Sequence, residues 1–180
     1  MPRGRKIKIS REDIINADKN SIGEPMEFPD IVTGVEDTEI KRYQISATAS
    51  FSITDSEPWP WSDEHLEITK PVQSKILSIA DGVSQTLFDW TVGMGGEIRV
   101  VLNITGQIAN TNGTLRYQIN GYLYEGTTEH SDDLDDESHT GDCLLNCNNT
   151  TSHTINLLNT EPGGGDTAFI SLEISNQLIP

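Results

Sequence analysis

Residues 98–123 read Ile98-Arg-Val-Val-Leu-Asn-Ile-Thr-Gly-Gln-Ile-Ala-Asn-Thr-Asn-Gly-Thr-Leu-Arg-Tyr-Gln-Ile-Asn-Gly-Tyr-Leu123. Apolar side chains recur every second residue, at Ile98, Val100, Leu102 and Ile104, and again at Leu115, Tyr117, Ile119 and Leu123. A period of two places each set on one face of an extended strand. Asn112-Gly113 lies between the two runs and predicts a tight hairpin of the type I′ class. Pairing Thr111 with Thr114 would set Leu102 opposite Leu123, Ile108 opposite Tyr117 and Ile104 opposite Gly121. Both apolar sets then share one face, whereas a slip of one residue would turn one set into water.

The same alternation runs outward from this unit. Ile45, Ala47, Ala49, Phe51 and Ile53 interleave with Gln44, Ser46, Thr48, Ser50, Ser52 and Thr54. Further strands are expected at 65–69, 75–79, 86–92, 153–158 and 167–174. Asp81-Gly82, Gly93 to Gly96 and Pro162 to Gly165 punctuate them as turns. Roughly eight short strands with glycine-rich turns predict an all-β, antiparallel β-sandwich, with a jelly-roll-like order as the leading version.

Residues 1–39 differ from the rest and are expected to form an extended N-terminal arm on a domain of residues 40–180. Lys6-Ile-Lys-Ile9 alternates like an exposed edge strand. Ser10 followed by Asp13 resembles a capping box, so a short helix is expected over about 11–18. Residues 21–39 carry two prolines, two glycines and six acids, as an extended connector would.

Charge is divided unevenly. Of the 12 lysines and arginines, five (Arg3, Arg5, Lys6, Lys8 and Arg11) fall in the first eleven residues, and all 28 acids follow them. The first eleven residues are thus +5 and the remainder −21, for a net −16. An acidic body opposes binding to nucleic acid or an anionic membrane and favours basic partners. No apolar run is long enough for a spanning helix, and no apolar stretch follows the basic start as a secretory signal requires. A virion or the cytoplasm is the expected setting. The sequons at Asn103, Asn112, Asn148 and Asn149 then carry no expectation of glycosylation.

Several stretches are candidate sites. Trp59 and Trp61, set among Pro58 and Pro60, are expected either to cap the core or to contact a protein partner or a sugar. Asp132, Asp133, Asp135, Asp136 and Glu137 offer oxygen ligands to calcium, although their spacing lacks the pattern of a helix–loop–helix calcium loop; a solvated loop is the alternative. His139, Cys143, Cys147 and His153 are soft ligands at a spacing unlike common zinc sites, so free thiols, a disulfide and zinc all remain open. The glycine clusters precede strands rather than helices, which argues for turns over phosphate loops. No histidine lies in a recognisable nucleophile or metalloprotease context.

These features predict a non-enzymatic structural subunit of a larger assembly, with no required cofactor. By analogy, capsid, decoration or tail proteins of virions suit it. Arg3, Arg5, Lys6, Ile7, Lys8, Ile9 and Arg11, with Trp59 and Trp61, are the expected contacts to other subunits, most simply copies of the same chain. A calcium-dependent or carbohydrate-binding sandwich is the alternative.

Overall fold

A computed structural model describes residues 40–56, 61–126, 133–159 and 165–180. The arm of residues 1–39, with its basic residues and its expected helix, lies outside the described residues.

Among the described residues the chain is nearly all strand, arranged as two antiparallel sheets. In the first sheet β1 (Arg42–Asp55) and β10 (Thr167–Ile179) pair at the centre, and β9 (Asn149–Leu158) lies beyond β10. On its other side β1 meets β2 (Glu64–Thr69) along one half and β3 (Gln73–Ser78) along the other. Ser50 faces Thr69 but Ala47 faces Gln73, so one extra residue is accommodated around Lys70, Pro71 and Val72. Proline has no amide hydrogen and suits such an interrupted edge. β2 and β3 are therefore one edge strand with a bulge.

The second sheet repeats this plan. Its order is β4 (Gln85–Met94), β5 (Ile98–Ile108), β6 (Leu115–Glu125) and β7 (Asp133–His139), with β8 (Cys143–Leu145) sharing the β7 side of β6. Thr140 bridges the interruption between β7 and β8. Its amide donates to the Ile119 carbonyl at 2.9 Å, and its hydroxyl accepts from the Ile119 amide at 2.9 Å.

Neighbours within each sheet are neighbours in sequence, except where β1 meets β10 and joins the first strand to the last. This order corrects the jelly-roll expectation, because a jelly roll interleaves distant strands. Alternation reports which face of a strand is buried, and it carries no information about which strands lie side by side.

The inward faces of both sheets share one apolar core. Ile45, Phe51 and Ile53 of β1 and Ile170, Leu172 and Ile174 of β10 meet Ile98, Leu102 and Ile104 of β5 and Ile119 and Leu123 of β6. Each such buried side chain stabilises by about 1.5–3 kcal/mol relative to exposure. Trp90 lies in this core, stacked on Phe88 with centroids 5.6 Å apart. Polar side chains stitch the two open seams between the sheets. Lys75 Nζ donates to the Thr86 carbonyl at 2.6 Å, and Asp136 Oδ2 accepts from the Leu158 amide at 2.8 Å.

The central hairpin forms, but its register differs by two residues from expectation. Leu102 faces Gly121, Ile104 faces Ile119 and Ile108 faces Leu115. A shift of two preserves the faces, so the burial pattern holds. The cause is Asn110. Its Oδ1 accepts from the amides of Asn112 and Thr114, at 3.0 and 3.1 Å, and its carbonyl accepts from the Gly113 amide at 3.0 Å. This wider turn needs a left-handed backbone only at Gly113, where φ is 78°. A type I′ turn would need one at Asn112 as well. Gly113 lies against the Tyr43 ring, leaving no room for a side chain. The Gly113 carbonyl is held by Asn176 of β10, whose Nδ2 donates to it at 2.7 Å and to the Leu145 carbonyl at 3.1 Å. That fully buried amide fastens the first sheet to the second.

Candidate functional site

The topology gathers several strand ends at one end of the sandwich. The end of β1, the start of β2, the β4–β5 turn, the end of β6, the start of β7, the end of β9 and the start of β10 all meet there. Residue 40 and Pro180 lie toward the opposite end, where Arg42 pairs with Ile179.

At the loop end three polar side chains are buried: Asp55, Asn159 and Asp166. Asp166 Oδ1 accepts from the Ser56 amide at 2.8 Å, and its carbonyl accepts from the Asn159 amide at 2.9 Å. Asn159 Nδ2 donates to Glu125 Oε2. Glu125 is thus packed beside Asp166 and Asp135. Burial first, and then these two carboxylates, hold its carboxyl above the usual range. Gly95, with φ of 65°, brings the β4–β5 turn close to Asp55. A Cβ there would sit 2.9 Å from Asp55 Oδ2. These hydrogen bonds tie together the ends of β1, β6 and β9 and the start of β10.

The acidic run has a different form from either expectation. Asp132 lies outside the described residues. Asp133, Asp135, Asp136 and Glu137 belong to edge strand β7, with a bulge at Asp135, and so do not form a loop. Strand geometry sends successive side chains to opposite faces, and the run disperses. Asp136 spends Oδ2 on Leu158 and Oδ1 on the Glu137 amide, while Glu137 pairs with His139 at 3.1 Å. The soft-ligand set disperses too. His139 Nδ1 meets Asn120 Oδ1 at 2.8 Å on the outer surface, whereas His153 Nε2 meets the Tyr117 hydroxyl at 2.7 Å on the inner side. Burial holds the His153 ring below its ordinary pKa and pushes Tyr117 up to about 12. Cys143 and Cys147 are free thiols. Among the described residues no three histidine, cysteine, aspartate or glutamate side chains converge as a metal site would require.

Trp59 lies outside the described residues. Trp61 is described and stands 71% exposed at the loop end, so it does not lid the core. The basic residues Arg3, Arg5, Lys6, Lys8 and Arg11, with Ile7 and Ile9, also lie outside the described residues.

Sequence reasoning missed two surface groups. On the outer face of the second sheet Arg99 lies 4.1 Å over the Tyr124 ring, Tyr122 adjoins Tyr124 at 6.2 Å, and His139 meets the Tyr122 edge at 5.5 Å. Nearby, Asp142 accepts from Arg116 and, at 2.9 Å, from Gln118. The Arg116 hydrogen bond holds the Asp142 carboxyl below its usual range. Alternation flagged these residues only as outward-facing; the cross-strand register brings them together. The second group is the hydroxyl array on the outer face of the first sheet. Ser46 meets Ser74 at 2.8 Å, Ser50 meets Thr69 at 2.8 Å, Thr48 donates to the Lys70 carbonyl at 3.0 Å, and Thr54 meets His65 at 3.2 Å.

No known family model matches this chain, and no curated protein matches it either.

Proposed function

We propose that this chain is a non-enzymatic structural subunit of a larger assembly of the capsid, decoration or tail type. In it the basic arm of one copy contacts the acidic body of another. The supporting observation is the condition of the sheet edges. Edge strands invite strand addition unless they are blunted. β2–β3 is broken at Pro71 and β7–β8 at Thr140, and β7 is acidic besides. β4 carries a bulge between Thr86 and Phe88, a lysine on its Thr86 carbonyl, and Asp89. β9 has ten residues without a charged residue, a proline or a bulge. The Leu158 amide points away from β10, to Asp136, so by the alternation of antiparallel pairing those of Thr150, Ser152, Thr154 and Asn156 point the same way. A strand such as Lys6–Ile9 fits this edge, and the β7 acids beside it favour its lysines. Each exposed ion pair adds only about 0.2–1 kcal/mol, so the backbone ladder and the two isoleucines carry most of the affinity. Deleting residues 1–11 is expected to leave a folded chain and to reduce particle size. Unchanged light scattering from the truncated chain would refute the arm's role.

One observation favours a second reading, a carbohydrate-binding module: the exposed ring of Trp61 at the loop end. Quenching of indole fluorescence by a soluble oligosaccharide, absent in Trp61→Ala, would support it. The calcium-dependent version is weaker, since Asp136 and Glu137 are engaged within β7 and with β9.

A further inference from the structure

We infer that the outer face of the first sheet is a second, self-complementary contact, where one copy of this chain docks on the same face of another. The inference rests on the assembly reading, but it concerns a different surface and a different force.

Charge is the first argument. The outward side chains of β1, β2, β3, β9 and β10 include only three formal charges among the described residues, Arg42, Glu67 and Glu173. This face is therefore nearly neutral on a chain of net charge −16. Two such chains repel through most of their surface, and like charges set face to face cost several kcal/mol. The neutral face is where two copies approach with the smallest penalty.

Desolvation is the second argument. Burying a hydroxyl is costly when it loses its partner. Here Ser46, Thr48, Ser50 and Thr54 already have partners within the sheet, on Ser74, Lys70, Thr69 and His65. A second copy can cover them without stranding them.

Size and shape are the third. Fourteen residues of β1 and a sheet four strands wide give a face of about 46 Å by 19 Å, on the order of 900 Å². A stable interface takes roughly 800 Å² from each partner. Phe169, near the loop end of central strand β10, stands 49% exposed at the rim of a depression that it lines together with Ser50, Ser52, Glu67, Thr69 and Ser171. A twofold axis between two such faces lets the ring of each copy enter the depression of the other.

The test is sedimentation of the full chain at low and high ionic strength, with Ser171→Glu, Phe169→Ala and a control, Thr105→Glu, on the outer face of the other sheet. All three sites are at the surface, and a thermal melt checks that each variant folds. Face pairing is expected to strengthen with salt, because screening relieves the repulsion between acidic bodies. Ser171→Glu is expected to weaken pairing by roughly tenfold or more, Phe169→Ala to weaken it less, and Thr105→Glu to leave it unchanged. Association untouched by Ser171→Glu overturns the inference, as does association that only weakens with salt. The arm is tested separately by deleting residues 1–11. Pairing that survives that deletion and is lost in Ser171→Glu supports the face, and a particle size unchanged by the deletion refutes the arm. Particles lost on deletion but unaffected by Ser171→Glu do the reverse.

Discussion

Asn176 shows how much a single polar residue holds in this core. Its one amide nitrogen serves two carbonyls on the opposite sheet, those of Gly113 and Leu145. Removing it leaves both buried without that donor. Asn176→Ala is therefore expected to destabilise by about 2–3 kcal/mol, measured by urea unfolding. Nothing in the sequence marked it, since an asparagine near a chain end reads as surface. His153 makes a contrasting case. Burial lowers its pKa in the folded chain below the ordinary 6.5, so protonation favours the unfolded state. The stability from its neutral ring is fully present above pH 6.5 and is lost as pH falls through the folded value. His153→Gln is expected to flatten the acid side of the urea-midpoint profile, and an unchanged slope would remove His153 as the cause.

Among the elements, the central hairpin was legible as faces and illegible as register. Alternating apolar residues announced both strands, because that alternation is what burial of one face requires. The turn depended on a competition that the Asn-Gly signal conceals. Asn110 offers its side chain to two amides and closes a wider loop. Asn110→Ala is expected to destabilise by about 1–2 kcal/mol, because two amides lose that partner. Chemical denaturation measures the loss, and amide exchange at Thr114 shows whether it arises in the turn. β7 was hidden for a related reason. Acids are depleted in strands, and a run of them resembles a solvated loop, yet at a sheet edge the same charges discourage unwanted pairing. The carboxylate cluster was not legible at all, since Glu125, Asp135 and Asp166 meet only through the order of the strands.

For the whole molecule, the dominant quantity is charge. A net −16 on 180 residues opposes compaction through self-repulsion. Two responses to acid follow. Glu125 has a raised carboxyl pKa in the fold, so the stability linked to its protonation is fully present below the ordinary 4.5 and is lost as pH rises through the folded value. Lowering the pH also removes negative charge from the whole body. Both favour the folded state on mild acidification, and His153 opposes them below 6.5. Salt separates the contributions, since screening weakens the long-range repulsion more than it affects a half-buried ring or a part-buried carboxyl. The melting temperature of the unassociated chain at neutral pH is therefore expected to rise with ionic strength. The same salt series near the sequence pI of about 4.4 should show little rise, because net repulsion is nearly absent there. Calorimetry at both pH values, run dilute enough to exclude association, measures this. Equal salt responses at the two pH values would show that net charge does not limit the stability of this fold.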